Sequence, residues 1–147
     1  MKDIGLSLRT AYYNRLNGNI IVNSVNIPVY DSSSVPLTVS KPYVLLSTYT
    51  STEIGEGSKQ SYAQEVTLLI DVVTIAENSS GGKKKADEIS NAIIQAIRTR
   101  QAGYIDLSPD FQIITTLLDS NNTLEELVSD GIVIRRLIRF RHKIFEL

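Results

Sequence analysis

The stretch that most limits what this chain can fold into is residues 64–76, Gln-Glu-Val-Thr-Leu-Leu-Ile-Asp-Val-Val-Thr-Ile-Ala. Read as a strand, it places Val66, Leu68, Ile70 and Val72 on one face and Leu69, Val73 and Ile75 on the other. A strand that is apolar on both sides belongs inside a layered fold, with a helix over one face and other material over the second. Asp71 interrupts that pattern between Leu69 and Val73. A charge there has to be paired or reach water, so we read it as a structural ion pair or an interface contact rather than a catalyst.

The flanking segments supply the layers. Ile4, Leu8, Ala11, Tyr12 and Leu16 recur at helical spacing, and Asn17-Gly18 stops the turn. Residues 25–31 read as a short strand, placed at an edge by Pro28, which has no N–H to give a ladder. Residues 42–50 read as a strand, and polar residues 52–63, with Gly55 and Gly57, as an extended hairpin loop before the central strand. After a break at residues 78–82, Ala86, Ile89, Ile93, Ala96 and Ile97 mark a second helix to about Arg100, closed by Gly103. Residues 111–118 read as a strand, 119–122 and 129–131 as turns, and 132–145 as an unusually long final strand. The expectation is a single α+β domain over residues 1–147, mostly antiparallel sheet with an N-terminal helix and a second helix packed on it.

Composition removes most chemistry. The 147 residues contain no cysteine and one histidine, His142, which excludes thiolate sites and nucleophiles and leaves a Ser-His or multi-histidine zinc site without its ligands. His142 alternates with Arg141 and Lys143 in the final strand and reads as a surface or pairing residue. Gly81-Gly82-Lys83-Lys84-Lys85 lies between strand and helix, where a phosphate loop would sit. The P-loop pattern nevertheless fails: Glu77 stands at its first glycine, and Lys84 replaces the hydroxyl that holds magnesium. The lysines read instead as a solvated helix start, with Lys83 and Lys84 four residues ahead of Asp87 and Glu88. No catalytic residue, cofactor or metal is expected. No signal peptide or bilayer-length apolar run is present, so the expectation is a soluble protein made in the cytoplasm, with no membrane partner.

Charge is unevenly placed. From residue 135 onward Arg135, Arg136, Arg139, Arg141 and Lys143 face only Glu146, a net of +4, which leaves −5 for the rest of a chain whose total is −1. Alternation puts Arg135, Arg139, Arg141 and Lys143 on one side of the final strand, opposite Ile132, Ile134, Ile138, Phe140 and Ile144. Such a stripe is either a solvated face that protects an edge, or a contact with phosphate backbone or an acidic neighbouring subunit. Two-sided apolar strand, polar hairpin loop, overlong last strand and segregated charge together favour a subunit that joins copies of itself.

The order of elements resembles the tail-completion proteins (tail terminators, head-to-tail joining proteins) of tailed bacteriophages. The likeness rests on the N-terminal amphipathic helix, on Ile27-Pro28-Val29-Tyr30-Asp31 followed by Pro42-Tyr43-Val44-Leu45-Leu46, and on the polar loop and long apolar strand. It continues through the helix from Lys84-Lys85-Ala86-Asp87-Glu88-Ile89 and the closing Ile138-Arg139-Phe140-Arg141. The resemblance implies a non-enzymatic ring, a hexamer or higher, in the neck or tail of a virion. Such a ring caps or joins the tail tube, contacts other neck, tail or portal-associated proteins, and passes genomic DNA through its lumen. Under that reading Asp71, Arg135, Arg139, Arg141 and Lys143 serve interface or lumen electrostatics. Glu53, Ile54, Glu56, Lys59 and Tyr62 of the hairpin loop contact a neighbouring subunit. The alternative is a small nucleic-acid-binding module that uses the basic final strand.

Overall fold

The computed structural model describes residues 1–31, 35, 40–55, 62–76, 82–100, 105–129 and 131–147. In chain order the elements are α1 (Gly5–Leu16), β1 (Ile21–Val22), β2 (Val25–Asn26), β3 (Val29–Asp31), β4 (Tyr43–Ile54), β5 (Ala63–Ala76), α2 (Gly82–Ile97), β6 (Phe111–Val128) and β7 (Gly131–Glu146). Five strands form one sheet in the order β3-β4-β5-β7-β6, antiparallel except for the β3–β4 pair. The fold is therefore α+β, with both helices packed on a mostly antiparallel sheet.

The central strand sits where its composition requires. β5 lies third of the five strands and pairs with β7 along all 14 of its residues. Val66, Leu68, Ile70 and Val72 are all buried, facing Leu8, Tyr12 and Leu16 of α1 and Ile89, Ile93 and Ile97 of α2 in one core. Both helices bury one stripe at three- and four-residue spacing, and each buried Leu or Ile contributes roughly 1.5–3 kcal/mol. Among the described residues no helix packs on the opposite face. There Val73 is buried, while Leu69 and Ile75 stay half-buried. The expected second cover is thus missing from the described part of the chain.

The first helix matches its expected span: the chain leaves the helical conformation at Asn17, with ψ 124°, and Gly18 follows at φ 79° in the left-handed region. Other boundaries need correction. Residues 25–31 are two strands, not one, because β2 turns back on β1 through Asn23 and Ser24, both at positive φ, as a two-residue hairpin. Pro28 does mark an edge: it precedes β3 at the sheet margin, and its carbonyl accepts from the Val44 N–H. α2 stops at Ile97 rather than Arg100, and Gly103 lies outside the described residues, as do Asn78 to Gly81 of the expected break.

The largest correction concerns residues 119–128. Residues 119–122 are not a turn; with residues 123–128 they continue β6, an 18-residue strand paired with β7 up to Val128↔Gly131. A register shift between Leu118 and Ser120 absorbs the irregularity, and the chain reverses between the paired Val128 and Gly131, where the second turn is expected. Asp119-Ser120-Asn121-Asn122 favours turns in isolation, but here two of the four side chains are engaged across the strand. Asp119 reaches Arg141 at 3.6 Å, and Asn121 accepts from Arg136 Nε at 2.7 Å.

Gly82 shows how tightly α2 meets the sheet. A Cβ at this position would lie 2.5 Å from Ala76 Cβ and 2.9 Å from Ile134 Cδ1. Alanine would gain up to about 1 kcal/mol of helix propensity, yet overpacking costs about 1–3 kcal/mol. Gly82→Ala is therefore expected to lower stability in urea unfolding, whereas an unchanged or raised midpoint would mean the helix start is free to shift.

Candidate functional site

The helix-free face of the sheet carries the residues that the sequence singles out. Alternation along β7 places Arg135, Arg139, Arg141 and Lys143 on that face, and the pairing register aligns them with β5. Lys143 stands opposite Glu65, Arg141 opposite Thr67, Arg139 opposite Leu69, and Leu137 opposite Asp71. Asp71 lies one step diagonally from Arg135 and is bound by it in a fork. Nε of Arg135 donates to Oδ1 and Oδ2 of Asp71 at 3.3 and 3.1 Å, and Nη2 donates to Oδ2 as well.

That pairing answers how a carboxylate survives in an apolar strand. The Asp71 side chain is only 4% exposed, while the Arg135 side chain is 42% exposed. Donating these hydrogen bonds to Asp71 raises the guanidinium's pKa against the opposing effect of its own partial burial. Of the other cations, Arg141 is paired with Asp119, while Lys143 stands across from Glu65 in register and holds its Nζ 5.8 Å from the Phe145 ring centroid. Arg139 makes no ion pair among the described residues. The face is a run of cations with interspersed acids rather than an unbroken positive field.

The hairpin candidates divide. Glu53 and Ile54 are strand residues at the end of β4, paired with Gln64 and Ala63, so residues 52–54 are not loop. Tyr62 lies just before β5, and its carbonyl accepts from the Glu146 N–H at 3.0 Å, which ties the hairpin to the last residues of β7. Glu56 and Lys59 lie outside the described residues. Since Ala63 pairs with Phe145, this hairpin end lies beside the Lys143 end of the stripe and away from Asp71 and Arg135.

His142 is the clearest surprise of position. It is fully buried on the helix side rather than at the surface, between Tyr12 of α1 and Thr116 of β6. The Tyr12 hydroxyl lies 2.5 Å from Nε2 and the Thr116 hydroxyl 2.9 Å from Nδ1. A neutral imidazole has one donor and one acceptor, so one hydroxyl gives a proton to the ring and the other receives one. Burial lowers the His142 pKa to about 4 and raises that of Tyr12. Nothing in the composition separated a buried histidine from an exposed one except its place on the apolar side of β7.

The lysine-rich start of α2 borders an open groove of about 410 Å³ lined by Ala76, Gly82, Lys83, Lys84, Glu125, Ile132 and Ile134. Lys83 is engaged there with Glu125 of β6 at 2.9 Å rather than with Asp87, while Lys84 does meet Glu88 at 3.8 Å. Asp87 instead receives Arg136, which also donates to Asn121 and Thr123, so one guanidinium fastens α2 to the β6–β7 hairpin. Sequence reasoning missed this cross-link because it reads residues 119–122 as a turn and gives no strand to residues 123–128. Among the described residues no group of three or more His, Cys, Asp or Glu could hold a metal ion. Nor is any helix among the described residues long and apolar enough to cross a membrane.

The described residues thus form a five-stranded sheet with both helices on one face and a cation-bearing face opposite. This fold recurs in a solved chain described as "Virion of native gene transfer agent (GTA) particle". The two align with a TM-score of 0.75 over 99% of each chain at 18% identity. No protein-family model and no curated protein matches the sequence.

Proposed function

We propose that this chain is a structural, non-enzymatic subunit of a phage-like virion, and that copies of it form a ring at the neck or tail. The observation that carries this reading is the full-length likeness in fold to a chain of a gene transfer agent particle. In the ring, which we take to be a hexamer or higher, the subunit caps or joins the tail tube next to other neck, tail or portal-associated proteins. Genomic DNA passes through the lumen. Arg139, Arg141 and Lys143 supply a local positive field, and Asp71 holds Arg135 in place within it. Glu53, Ile54 and Tyr62, with Glu56 and Lys59 between them, contact the neighbouring subunit.

The alternative, a free-standing nucleic-acid-binding module, has less support. Arg135, Arg141 and Lys143 each face a carboxylate, and a single strand makes only a few phosphate contacts in any case. Size-exclusion chromatography with light scattering, together with imaging of assembled particles, tests the ring. The expected result is a closed oligomer, alone or on a tube. A strict monomer at high concentration that is also absent from particles would refute it.

A further inference from the structure

The last strand of the sheet has two unlike halves. In its first half β6 has a buried side, formed by Phe111, Ile113 and Thr116. Beyond the register shift at Leu118 and Ser120 that side is lost. Every residue from 121 to 127 is exposed, including Leu124 at 53% and Leu127 at 84%. Burial of apolar surface, the main force that fixes a strand in place, is therefore missing here. Among the described residues, what joins this half to anything besides β7 is polar. Lys83 meets Glu125 at 2.9 Å, and Asn121 Nδ2 donates to Ser90 Oγ at 3.5 Å. The Lys83 and Glu125 side chains are 73% and 43% exposed, so water screens their attraction and it contributes little.

Local preference pulls the same segment away from the sheet. Asp119-Ser120-Asn121-Asn122 and the pair Glu125-Glu126 are residue types depleted in strands, and the first four favour turns. A segment whose own preference opposes the fold is where the structure gives way first. β7, by contrast, is held from its other side. It pairs with β5 from Ile132 to Ile138, and Val133, Ile134 and Ile138 are buried. The outer half of β6 can therefore lift off as a loop, tethered through Leu118 and Gly131, without taking a core residue with it.

We infer that residues 121–128 are a latch strand, a segment that opens as a unit while β5, β7 and both helices stay folded. Opening is an order–disorder change of one segment. It bares the backbone groups on the outer margin of β7 from Ile132 to Ile138. It also frees Lys83 from Glu125 and Arg136 from Asn121 and Thr123, leaving Arg136 on Asp87. This margin of the sheet can thus be reshaped by a contact without unfolding the core. The inference goes beyond the ring reading and does not depend on it, because the opening belongs to the single chain.

Hydrogen exchange resolved to single amides tests it, and β7 supplies its own control. Along an antiparallel strand the backbone groups point alternately to the two neighbours, so the amides of residues 132–138 form a β6-facing set and a β5-facing set. In the free chain the β6-facing set is expected to exchange at least about 100-fold faster than the β5-facing set. Lys83→Gln, which removes the pair with Glu125 and touches no core residue, should speed the β6-facing set alone, by up to about five-fold. A lock gives the converse result. Asn122 and Leu137 stand directly opposite, within the reach of a disulfide, and the chain has no native cysteine. Oxidised Asn122→Cys with Leu137→Cys should bring the β6-facing set close to the rate of the other, and reduction should restore the difference. Equal rates for the two sets in the free chain would mean that β6 opens only with the whole domain, which overturns the inference. A closed lock that leaves the fast set fast would overturn it as well.

Discussion

Between pH 7 and pH 4 the folded protein is expected to lose about 3 kcal/mol of stability through His142 alone. Its imidazole titrates near 4 in the fold and near 6.5 when unfolded. The unfolded chain therefore takes up a proton first as the pH falls, and folding stability drops with it. The contribution is complete above about pH 6.5 and fades as the pH approaches 4, with about 2 kcal/mol of the loss falling between pH 7 and pH 5. That upper part of the window lies above the usual range of Asp and Glu, so it isolates the histidine. The structural cause is that protonation turns both ring nitrogens into donors. Tyr12 and Thr116 must then both accept, and a charge is left among Phe140, Tyr12 and the apolar face of β5 with no carboxylate hydrogen-bonded to it. Urea unfolding at a series of pH values measures the slope, and His142→Gln, which cannot charge, should flatten it. A wild-type midpoint that holds steady from pH 7 to pH 5 would show that the ring is not sealed from water.

Much of this fold was legible in the sequence because burial writes a period. The stripes of α1 and α2, the two-sided run of β5 and the alternation in β7 are each set by which face meets the core, and each falls close to where the spacing predicts. The far half of β6 has no buried face: residues 121–127 are exposed on both sides and carry no period. Its strand conformation comes from β7 and from distant partners, Lys83, Arg136 and Arg141, that no local pattern announces. For the same reason the open edge of β6 was invisible: Asn121 and Asn122 look like a turn until Arg136 and the β7 ladder are beside them. Of the electrostatic candidates, the register sets Asp71 and Arg135 side by side, but their spacing of 64 residues gave no hint of it. Asp71 was recognisable only as a charge that needed an answer.

The pair invites a comparison of its two halves. Removing Arg135 leaves a carboxylate only 4% exposed with its fork of hydrogen bonds gone, whereas removing Asp71 leaves a guanidinium already 42% exposed and able to turn to water. Breaking a fully buried pair costs about 3–5 kcal/mol. Arg135 is partly in solvent, which screens the attraction, so Arg135→Ala is expected to cost about 2–3 kcal/mol. Asp71→Ala should cost about 1 kcal/mol, mostly the hydrogen bonds less the relief of a buried charge. The double change to apolar residues of similar size, Asp71→Val with Arg135→Leu, should return to within about 1 kcal/mol of wild type, since no charge then remains to be paired. Urea unfolding of the three variants reads the order directly. Equal losses from the two single changes would mean that Asp71 reaches water after all, and a double variant as unstable as Arg135→Ala would mean that packing, not charge, holds this part of the bare face together.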